Sequence, residues 1–344
     1  MQIQLPPEPT LKDIAAAAGV SIAAVSKVLN NRGGVAGATR DRVLHIADQL
    51  GYRGRAGRQV GSISVLTLEQ YVSHDAFYGD VLASIGTTGS ALGLDVSVTV
   101  QRDLAEMLAP GGLPQAQGFL LVGVDHPELV QSIAGLHVPA VIVNGMDPSM
   151  RLPSVAPDYL YGAWAATKHL LELGHRDIVH VTHAWRETFR RRVAGFRSAL
   201  EEGGLTFDPV RNLLDLGAPQ HINLSARDIV ERWLDDGNVM PTAFFCVNDM
   251  VALGVIQAVE RRGLSVPEDV SVVGFDGLAL GGFGTPPLTT VSSDRHALGR
   301  ISVELIAARM ADTTGPVQRV SVGVDLLLRR STAAPRGQPE LEPQ

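Results

Sequence analysis

The sequence has few cysteines and few aromatic residues. Among its 344 residues it contains one cysteine, Cys246, and 5% aromatic residues. One cysteine excludes an internal disulfide framework, and the apolar run AFFCV around it predicts a buried, reduced thiol. This cysteine use is typical of a protein of the cytoplasm, where we expect this chain to reside.

Long hydrophobic runs are missing as well. No apolar stretch approaches the roughly 20 residues that a helix needs to span a bilayer. The N-terminal segment MQIQLPPEP contains three prolines and lacks the basic-then-apolar pattern of a signal peptide. The sequence therefore predicts a protein without a membrane partner.

The motifs of common enzyme classes are also absent. The chain contains neither G-x-S-x-G nor a Walker P-loop, and GGFGTP lacks the strand and helix context of a dinucleotide site. His180 and His183 are three residues apart, which on a strand places them on opposite faces, so we expect no metal site. The sequence predicts no catalytic activity, no cofactor and no bound metal.

The charge is unevenly distributed along a chain whose net charge is −7. Residues 1–60 contain eight Lys or Arg and four Asp or Glu and so carry +4, whereas the remainder carries −11. A basic head on an acidic body suits a protein that binds DNA through the head, because the body repels phosphate.

The first fifty residues have the pattern of three short helices. Thr10 and Asp13 have the spacing of a capping box, and Gly19 ends the first helix. Ser21 is the N-cap of a second helix that starts after a turn of three or four residues, as in a helix-turn-helix. A generic three-helix bundle would share this pattern. The apolar residues expected to form the core are Leu11, Ile14, Ala15, Ala18, Ile22, Val25, Val28, Leu29, Val43, Leu44, Ile46, Ala47 and Leu50.

The amino-acid sequence of these helices is more specific than the spacing of their apolar residues. The stretch TLKDIAAAAGVSIAAVSKVLNN, followed by TRDRVLHIADQLGYR, closely resembles the head of the lactose-repressor (LacI) family of bacterial regulators over residues 10–53. The resemblance implies that the second helix lies in the major groove of operator DNA. The residues it places at the DNA are Thr10, Ser21, Ile22, Ala23, Ser26, Lys27, Arg32 and Arg40. Ile22 has core packing as its alternative role.

The segment after the head departs from the family. The resemblance implies a short hinge helix with a leucine that enters the minor groove, but residues 54–61 are about six residues shorter and contain no leucine. We expect Arg55 and Arg58 to contact phosphates or a narrow minor groove from a flexible tether, without bending the DNA. A plain linker is the alternative.

From Ser62 onward, short apolar runs alternate with amphipathic helical stretches. Eight such runs read as buried parallel strands, in two sets divided near Asp158. The expected strands are SISVLTL, LDVSVTV, GFLLVG, AVIVN, DIVHVT, NLLDL, AFFCV and VSVVGFD. Two doubly wound lobes with a ligand cleft at their strand ends follow from this pattern.

Three segments of the body resemble the same family, most clearly residues 243–291 (AFFCVNDMVALGVIQAVE and onward). The resemblance implies that Arg192, Asn248 and Asp276 hold polar groups of an effector. The alternatives are helix capping for Asn248 and Asp276 and a surface ion pair with Glu187 for Arg192. The resemblance gives Asn144 as a further effector position. Phe77, Trp185 and His221 could form an apolar or stacking wall, with ordinary packing as the alternative for each.

Together these observations predict an α/β protein with an N-terminal three-helix helix-turn-helix head and a periplasmic-binding-protein-like core of two doubly wound parallel-sheet lobes. The expected divisions are a disordered segment at 1–9, the DNA-binding head at 10–53, the hinge at 54–61, the effector and dimerisation body at 62–330 and a disordered tail at 331–344. The predicted function is a homodimeric transcription regulator, most simply a repressor, that binds operator DNA and a sugar-like effector. A sensor or solute-binding protein with weak or lost DNA binding is the alternative.

Overall fold

The structure, a computed structural model, describes residues 10–29, 35–50, 61–72, 76–183, 185–217 and 226–336. It divides into two units, one containing the N-terminal helices and one containing most of the α/β body. The helices are α1 (Leu11–Ala18), α2 (Ile22–Leu29), α3 (Gly37–Gln49), α4 (Glu69–Val72), α5 (Ala76–Ala91), α6 (Leu104–Leu108), α7 (Pro127–Gly135), α8 (Tyr159–Glu172), α9 (Glu187–Glu202), α10 (Pro209–Asn212), α11 (Ala226–Asp235), α12 (Asp249–Arg261), α13 (Ala279–Gly282) and α14 (Arg295–Ala311). The strands are β1 (Ser62–Leu68), β2 (Asp95–Gln101), β3 (Gly118–Val122), β4 (Ala140–Val143), β5 (Ser154–Pro157), β6 (Ile178–Thr182), β7 (Leu213–Asp215), β8 (Ala243–Cys246), β9 (Ser271–Asp276), β10 (Thr289–Ser293), β11 (Arg319–Val322) and β12 (Val324–Leu327).

The three N-terminal helices form the expected head. The capping box is present, since Asp13 N–H donates to Thr10 Oγ1 and Thr10 N–H donates to the Asp13 carboxylate. Gly19 ends α1 in the left-handed conformation at φ +66°, which lets the chain turn directly into α2. Their shared core consists of Ile14, Ala15, Ala18, Val25, Val28, Val43 and Ala47.

The predicted core of the head was wrong at three positions. Ile22, Leu44 and Leu50 are exposed, since each projects from its helix away from the buried cluster. A three-helix unit of this size has room for only one apolar stripe per helix, so neighbouring apolar residues stay at the surface.

The body contains two six-stranded sheets with the order β11-β5-β4-β3-β1-β2 in the first lobe and β12-β10-β9-β8-β6-β7 in the second. All eight predicted runs form strands, but β2 is not buried as expected: it lies at the edge of its sheet, and Val98 and Val100 are exposed. Pairing is parallel in the ladders of β3 to β5, β11 with β5, and β6 to β10, whereas β12 runs antiparallel against β10.

The second sheet is covered on both faces, which explains its continuous apolar runs. Along β8, Phe244 and Cys246 face α11 and α12, whereas Ala243 and Phe245 face α8 and α9. Successive side chains alternate between faces, and both faces are core, so every residue of the strand is apolar. The doubly wound fold is thereby confirmed for this lobe.

The division near Asp158 is only the first of three crossings between the lobes. After β10 the chain returns to the first lobe, where α14 packs on β3, β4 and β5 and β11 pairs with β5. It then crosses back to form β12 in the second sheet. Asp294 and Gly323 mark these later crossings, which the apolar pattern did not indicate.

The expectation of a disordered tail from Ser331 is wrong for residues 331–336. Ser331 is fully buried, and its hydroxyl donates to Val272 O at 2.6 Å. His175 Nε2 lies 2.9 Å from Ala333 O, and Ala333 N–H donates to Ser271 Oγ at 3.0 Å. Backbone and hydroxyl groups hold this segment, so its lack of apolar periodicity was misleading. The expected disorder at 1–9 and 337–344, and the hinge at 54–60, lie outside the described residues.

Candidate functional site

A small cavity of about 100 Å³ lies between the two lobes, at the carboxyl ends of their strands. Wider grooves of about 430–460 Å³ occur on the surface elsewhere, but the cleft is where charged, amide and aromatic side chains of both lobes converge. Its lining is Tyr71, Phe77, Tyr78, Asn144, Tyr159, Arg186, Thr188, Phe189, Arg192, Asn248 and Asp276. Five of the seven sequence-predicted effector residues are in this set, namely Phe77, Asn144, Arg192, Asn248 and Asp276.

The other two predicted effector residues are not in the lining. Trp185 is partly exposed beside the cleft, where its ring packs edge-on against Phe189 at 5.4 Å. Phe189 therefore supplies the aromatic surface of the second lobe that we expected from Trp185. His221 lies outside the described residues.

Arg192 is buried in the second turn of α9 with its guanidinium packed against two aromatic rings. It lies 4.3 Å from the Tyr159 ring centroid and 4.2 Å from that of Phe275. Burial lowers the pKa of Arg192 below its usual value. The expected alternative, an ion pair with Glu187, is wrong, because Glu187 pairs with Arg190 and Arg191.

Asp276 lies beside Arg192 on the second lobe's side of the cleft. Its Oδ1 lies 3.7 Å from Arg192 Nη2, which is an ion pair too long for a hydrogen bond. Its backbone has φ +116°, a conformation that non-glycine residues rarely adopt and that occurs often at binding sites. The capping alternative for Asp276 is wrong, because Leu278 is the N-cap of α13 and no side chain caps that helix.

Asn248 caps a helix, as its alternative role predicted, and it also lies in the lining of the cavity. Its Oδ1 accepts from Val251 N–H at 2.8 Å and caps α12, while the residue also lines the cavity. The capping bond engages the amide oxygen and leaves the Nδ2 donor as the group suited to a ligand.

Asn144 joins two tyrosines at the end of β4. Its Nδ2 donates to the Tyr78 hydroxyl at 2.7 Å, and the Tyr159 hydroxyl donates to its Oδ1. Burial raises the pKa of both tyrosines, so both hydroxyls stay protonated. The amide nitrogen and the amide oxygen of Asn144 are both hydrogen-bonded to tyrosines. The proton of the Tyr78 hydroxyl is therefore the donor that these three residues offer to the cavity.

Arg186 links the lobes, and sequence reasoning missed it. Its Nε donates to Asp125 Oδ1 and its Nη2 to Asn144 O, both at 3.0 Å. Although burial alone would lower the pKa of Arg186, the charge of Asp125 raises it well above the usual value. Their positions in the sequence could have indicated both residues of this pair. Arg186 and Asp125 each follow an apolar strand by a few residues, as Asn144 and Asn248 do.

Arg295 is a second arginine bridge that the sequence did not indicate. From the start of α14 it donates to Asp80 Oδ2 at 2.8 Å and to the carbonyl oxygen of Asp276 at 3.0 Å. Its guanidinium also lies 5.8 Å from the ring centroid of Phe77. Arg295 therefore connects the backbone of Asp276 to helix α5, which carries the aromatic wall of the first lobe.

Asp249 holds the two strand ends of the second lobe in place. It is fully buried, its Oδ2 accepts from Leu278 N–H at 2.6 Å and its Oδ1 accepts from the Thr290 hydroxyl at 2.5 Å. One carboxylate thus fixes the start of α12, next to Asn248, to the turn that follows Asp276.

The pKa of Asp249 makes this contact pH-dependent. Burial raises the pKa to about 6, against the opposing hydrogen bonds, whereas an unfolded aspartate has a value of about 3.9. The folded state therefore binds this proton more tightly, and the stability it contributes is present below pH 4 and lost as the pH rises through 6.

Asp249→Asn removes this titration while keeping an acceptor for Leu278 N–H and a donor for the Thr290 oxygen. We expect equal unfolding free energies for parent and variant at pH 4.5, and a variant more stable by about 2 kcal/mol at pH 7.5. Urea unfolding at both pH values measures this difference. Parallel pH profiles would show that Asp249 does not titrate in this range.

The head presents the start of α2 to solvent. Ser21, Ile22, Ala23 and Lys27 are exposed, and Ser26 and Arg40 are partly exposed. The Ser21 hydroxyl accepts from Ala24 N–H at 3.1 Å as the N-cap. Arg32, Arg55 and Arg58, which we also expected at the DNA, lie outside the described residues.

Within the residues that the structure describes, no three His, Cys, Asp or Glu side chains are grouped to hold a metal ion. Over the same ranges, no helix has the length and apolar character needed to cross a bilayer.

Two family models match the chain. The model for bacterial regulatory proteins of the lacI family matches residues 10–54, and that for a periplasmic binding protein-like domain matches residues 167–332. Among curated proteins, the HTH-type transcriptional repressor PurR of Aliivibrio fischeri (strain ATCC 700601 / ES114) is 32% identical over 317 residues, covering 88% of this chain and 92% of the relative. The HTH-type transcriptional regulator DegA of Bacillus subtilis (strain 168) is 28% identical, covering 94% and 98%.

Solved structures agree over nearly the whole length. A complex of the transcriptional regulator CelR with cellobiose superposes with a TM-score of 0.69 at 27% identity, covering 94% of this chain and 99% of that one. The lac repressor dimer bound to operator and an anti-inducer gives 0.68 at 25% identity, covering 95% and 100%. Since head and body both match, and in the same order, the chain belongs to the LacI family of bacterial regulators: it is a DNA-binding transcription regulator with an effector-binding domain.

Proposed function

We propose that this regulator is a homodimeric repressor whose operator affinity is set by a small, neutral, sugar-like effector bound between the lobes. The observation that carries the proposal is the opposed pair of Arg192 and Asp276 beside Asn248. A guanidinium fork, a carboxylate and an amide donor together bind neighbouring hydroxyl groups in both the donor and the acceptor sense.

The charge balance of the cleft favours a neutral effector. Each arginine there has a carboxylate partner: Arg186 has Asp125, Arg192 has Asp276 and Arg295 has Asp80. An anionic ligand would add an uncompensated charge to a buried site, which costs several kcal/mol. A neutral ligand leaves all three pairs in place.

The shape of the cleft favours a compact ring. Phe77 and Phe189 supply apolar walls from the two lobes, suited to the C–H face of a sugar, and the free volume of about 100 Å³ favours a small ligand. The CelR structure, which holds cellobiose, supports the sugar class for a relative with the same fold.

The proposed DNA contacts are those of the head. Ile22, Ala23 and Lys27 would face base edges, while Thr10, Ser21, Ser26, Arg32 and Arg40 would lie along the phosphates. Arg55 and Arg58 remain proposed phosphate or minor-groove contacts. A protein that acts on chromosomal operators belongs in the bacterial cytoplasm, where we place it, and we propose a regulatory rather than a catalytic role.

The function is tested in two linked measurements on the full chain. Thermal-shift screening of sugars, nucleosides and small acids should select a sugar, since a ligand at a hundred times its Kd adds about 2.7 kcal/mol to stability. Fluorescence polarisation on a selected operator should then change affinity when that sugar is added. Sugar binding without any DNA binding would instead support the sensor alternative.

Homodimer formation has support from the surface of the second lobe. Phe283 is 86% exposed, and Leu280 and Met250 are also exposed on elements joined through the Asp249 bond to Leu278. Exposed apolar residues on neighbouring elements are typical of subunit interfaces, and a two-fold operator requires a two-fold protein.

We expect light scattering to give a dimer at micromolar concentration and Phe283→Asp to shift the protein toward monomer, because a charge would be buried at the interface. Val210→Asp is the matched control, since Val210 is equally exposed on α10. A parent that stays monomeric even with operator present would contradict the homodimer.

A further inference from the structure

The recognition helix α2 presents an unusually apolar surface at its start. Ile22 is 49% exposed and Ala23 is exposed, whereas Val25 and Val28 are buried in the core of the head. The sequence of this helix, IAAVSKVL, contains no Asn, Gln, Arg, Asp or Glu. The residue types that most often form paired hydrogen bonds with base edges are therefore missing from it, apart from lysine.

The polar residues near this surface have limited roles. Ser21 is engaged as the N-cap through Ala24 N–H. At 100° per residue, positions 22, 23, 26 and 27 form one outward arc, opposite the buried Val25 and Val28. Ser26 and Lys27 are the polar members of this arc, and Ile22 and Ala23 are its apolar members at the end that enters the groove first.

We propose that Ile22 and Ala23 select the operator by contact with the 5-methyl groups of thymines in each half-site, while Lys27 donates to a guanine. The proposal rests on the proposed function, in which α2 lies in the major groove. The thymine methyl is the apolar group that base pairs display there, and apolar side chains recognise it. The half-exposed Ile22 is thus a specificity residue rather than part of the core.

The expected size of the effect follows from one buried methyl group. Loss of a single methyl from an apolar contact weakens binding by about fourfold. Two contacted thymines in a half-site should therefore contribute about fifteenfold, because separated base positions are roughly additive.

The test uses the full-length protein and an operator selected from random DNA. In synthetic duplexes of that operator, each thymine is replaced in turn by deoxyuridine, which keeps the base pair and the O4 acceptor and lacks only the methyl. We expect about fourfold weaker binding at one or two positions per half-site and no change elsewhere.

Variants assign the contact to its residue. Ile22→Ala should bind the parent operator more weakly and lose the deoxyuridine penalty at one position. Leu44→Ala is the control, since Leu44 is similarly exposed but lies on α3, and it should keep every penalty. Circular dichroism and binding of random DNA at low salt confirm that the Ile22→Ala head is folded.

Three other results of these binding experiments would each contradict a different part of the proposal. A selected operator that tolerates deoxyuridine at every position overturns methyl recognition but leaves the proposed regulator intact. A penalty that persists in Ile22→Ala overturns the role of Ile22. A selection that yields no preferred sequence contradicts the proposed function and the inference together.

Discussion

Arg192→Ala is expected to weaken effector binding by about 10- to 150-fold, the loss for a charged hydrogen-bond partner worth about 1.5–3 kcal/mol. The change removes the guanidinium packed against Tyr159 and Phe275 and leaves the Asp276 carboxylate without this neighbouring cation. DNA binding without effector should be retained, because the substitution lies far along the chain from the head. Isothermal titration calorimetry with the sugar that gives the largest thermal shift measures the loss.

Two variants separate charge from geometry at this position. Arg192→Lys keeps the positive charge but loses the flat fork that packs against the two rings, so we expect partial recovery only. Arg197→Ala, on the same helix, removes an exposed i,i+4 partner of Glu201 and should leave effector affinity unchanged. Equal affinities for parent and Arg192→Ala would show that the effector binds elsewhere.

Asn248 needs a different substitution, because it also caps α12. Asn248→Asp retains an oxygen for Val251 N–H and removes the amide donor, so a loss of effector affinity with unchanged stability assigns the donor to the ligand. Asn248→Ala would remove both the cap of α12 and the proposed donor to the effector, so its effect could not be assigned to one of them.

The sequence was sufficient to predict those residues of the candidate site that directly follow an apolar strand. Asn144, Asn248 and Asp276 each end a run of apolar residues, and parallel strands bring such ends to one edge. Phe77 was predicted as part of an aromatic wall, and it also lines the cleft. The family resemblance assigned Asn144, Asn248 and Asp276 to the effector, and their positions at strand ends agree with it.

Contacts between the lobes could not be predicted in this way. Arg186 meets Asp125 from 61 residues away, and Arg295 on the first lobe meets the carbonyl oxygen of Asp276 on the second. Which strand ends face each other depends on the three crossings of the chain, and the later two were not apparent. Strands β5, β10, β11 and β12 were missed because each is short or alternates with polar residues, as in TTVSS and RVSV.

The bond between Arg186 and Asp125 has a mechanical role that these positions suggest. Arg186 belongs to the second lobe and Asp125 to the first, and their side chains are only 6% and 7% exposed. Asp125 also accepts from Met146 N–H at 3.1 Å, so its carboxylate is fixed on its own lobe. The pair therefore holds the cleft closed at a point beside the effector cavity.

Arg186→Met is expected to open the cleft. Removing one partner of a buried ion pair leaves an uncompensated charge, which costs about 3–5 kcal/mol if the surroundings stay closed. Separation of the lobes lets water reach Asp125 and avoids this cost, so the closed state loses population while each lobe stays folded. Small-angle X-ray scattering without effector should show a larger radius of gyration, and hydrogen exchange should speed up at the start of α9.

Two comparisons make this result specific to the pair. Arg190→Met removes a guanidinium from the same helix, but Arg190 is 55% exposed and its bond to Glu187 is worth less than about 1 kcal/mol, so the scattering profile should match that of the parent. Asp125→Asn combined with Arg186→Met removes both charges, and the cleft should close again in large part, because no buried charge then remains without a partner. If Arg186→Met and the double variant scatter alike, the opening is caused by lost packing of the arginine side chain and not by the charge of Asp125.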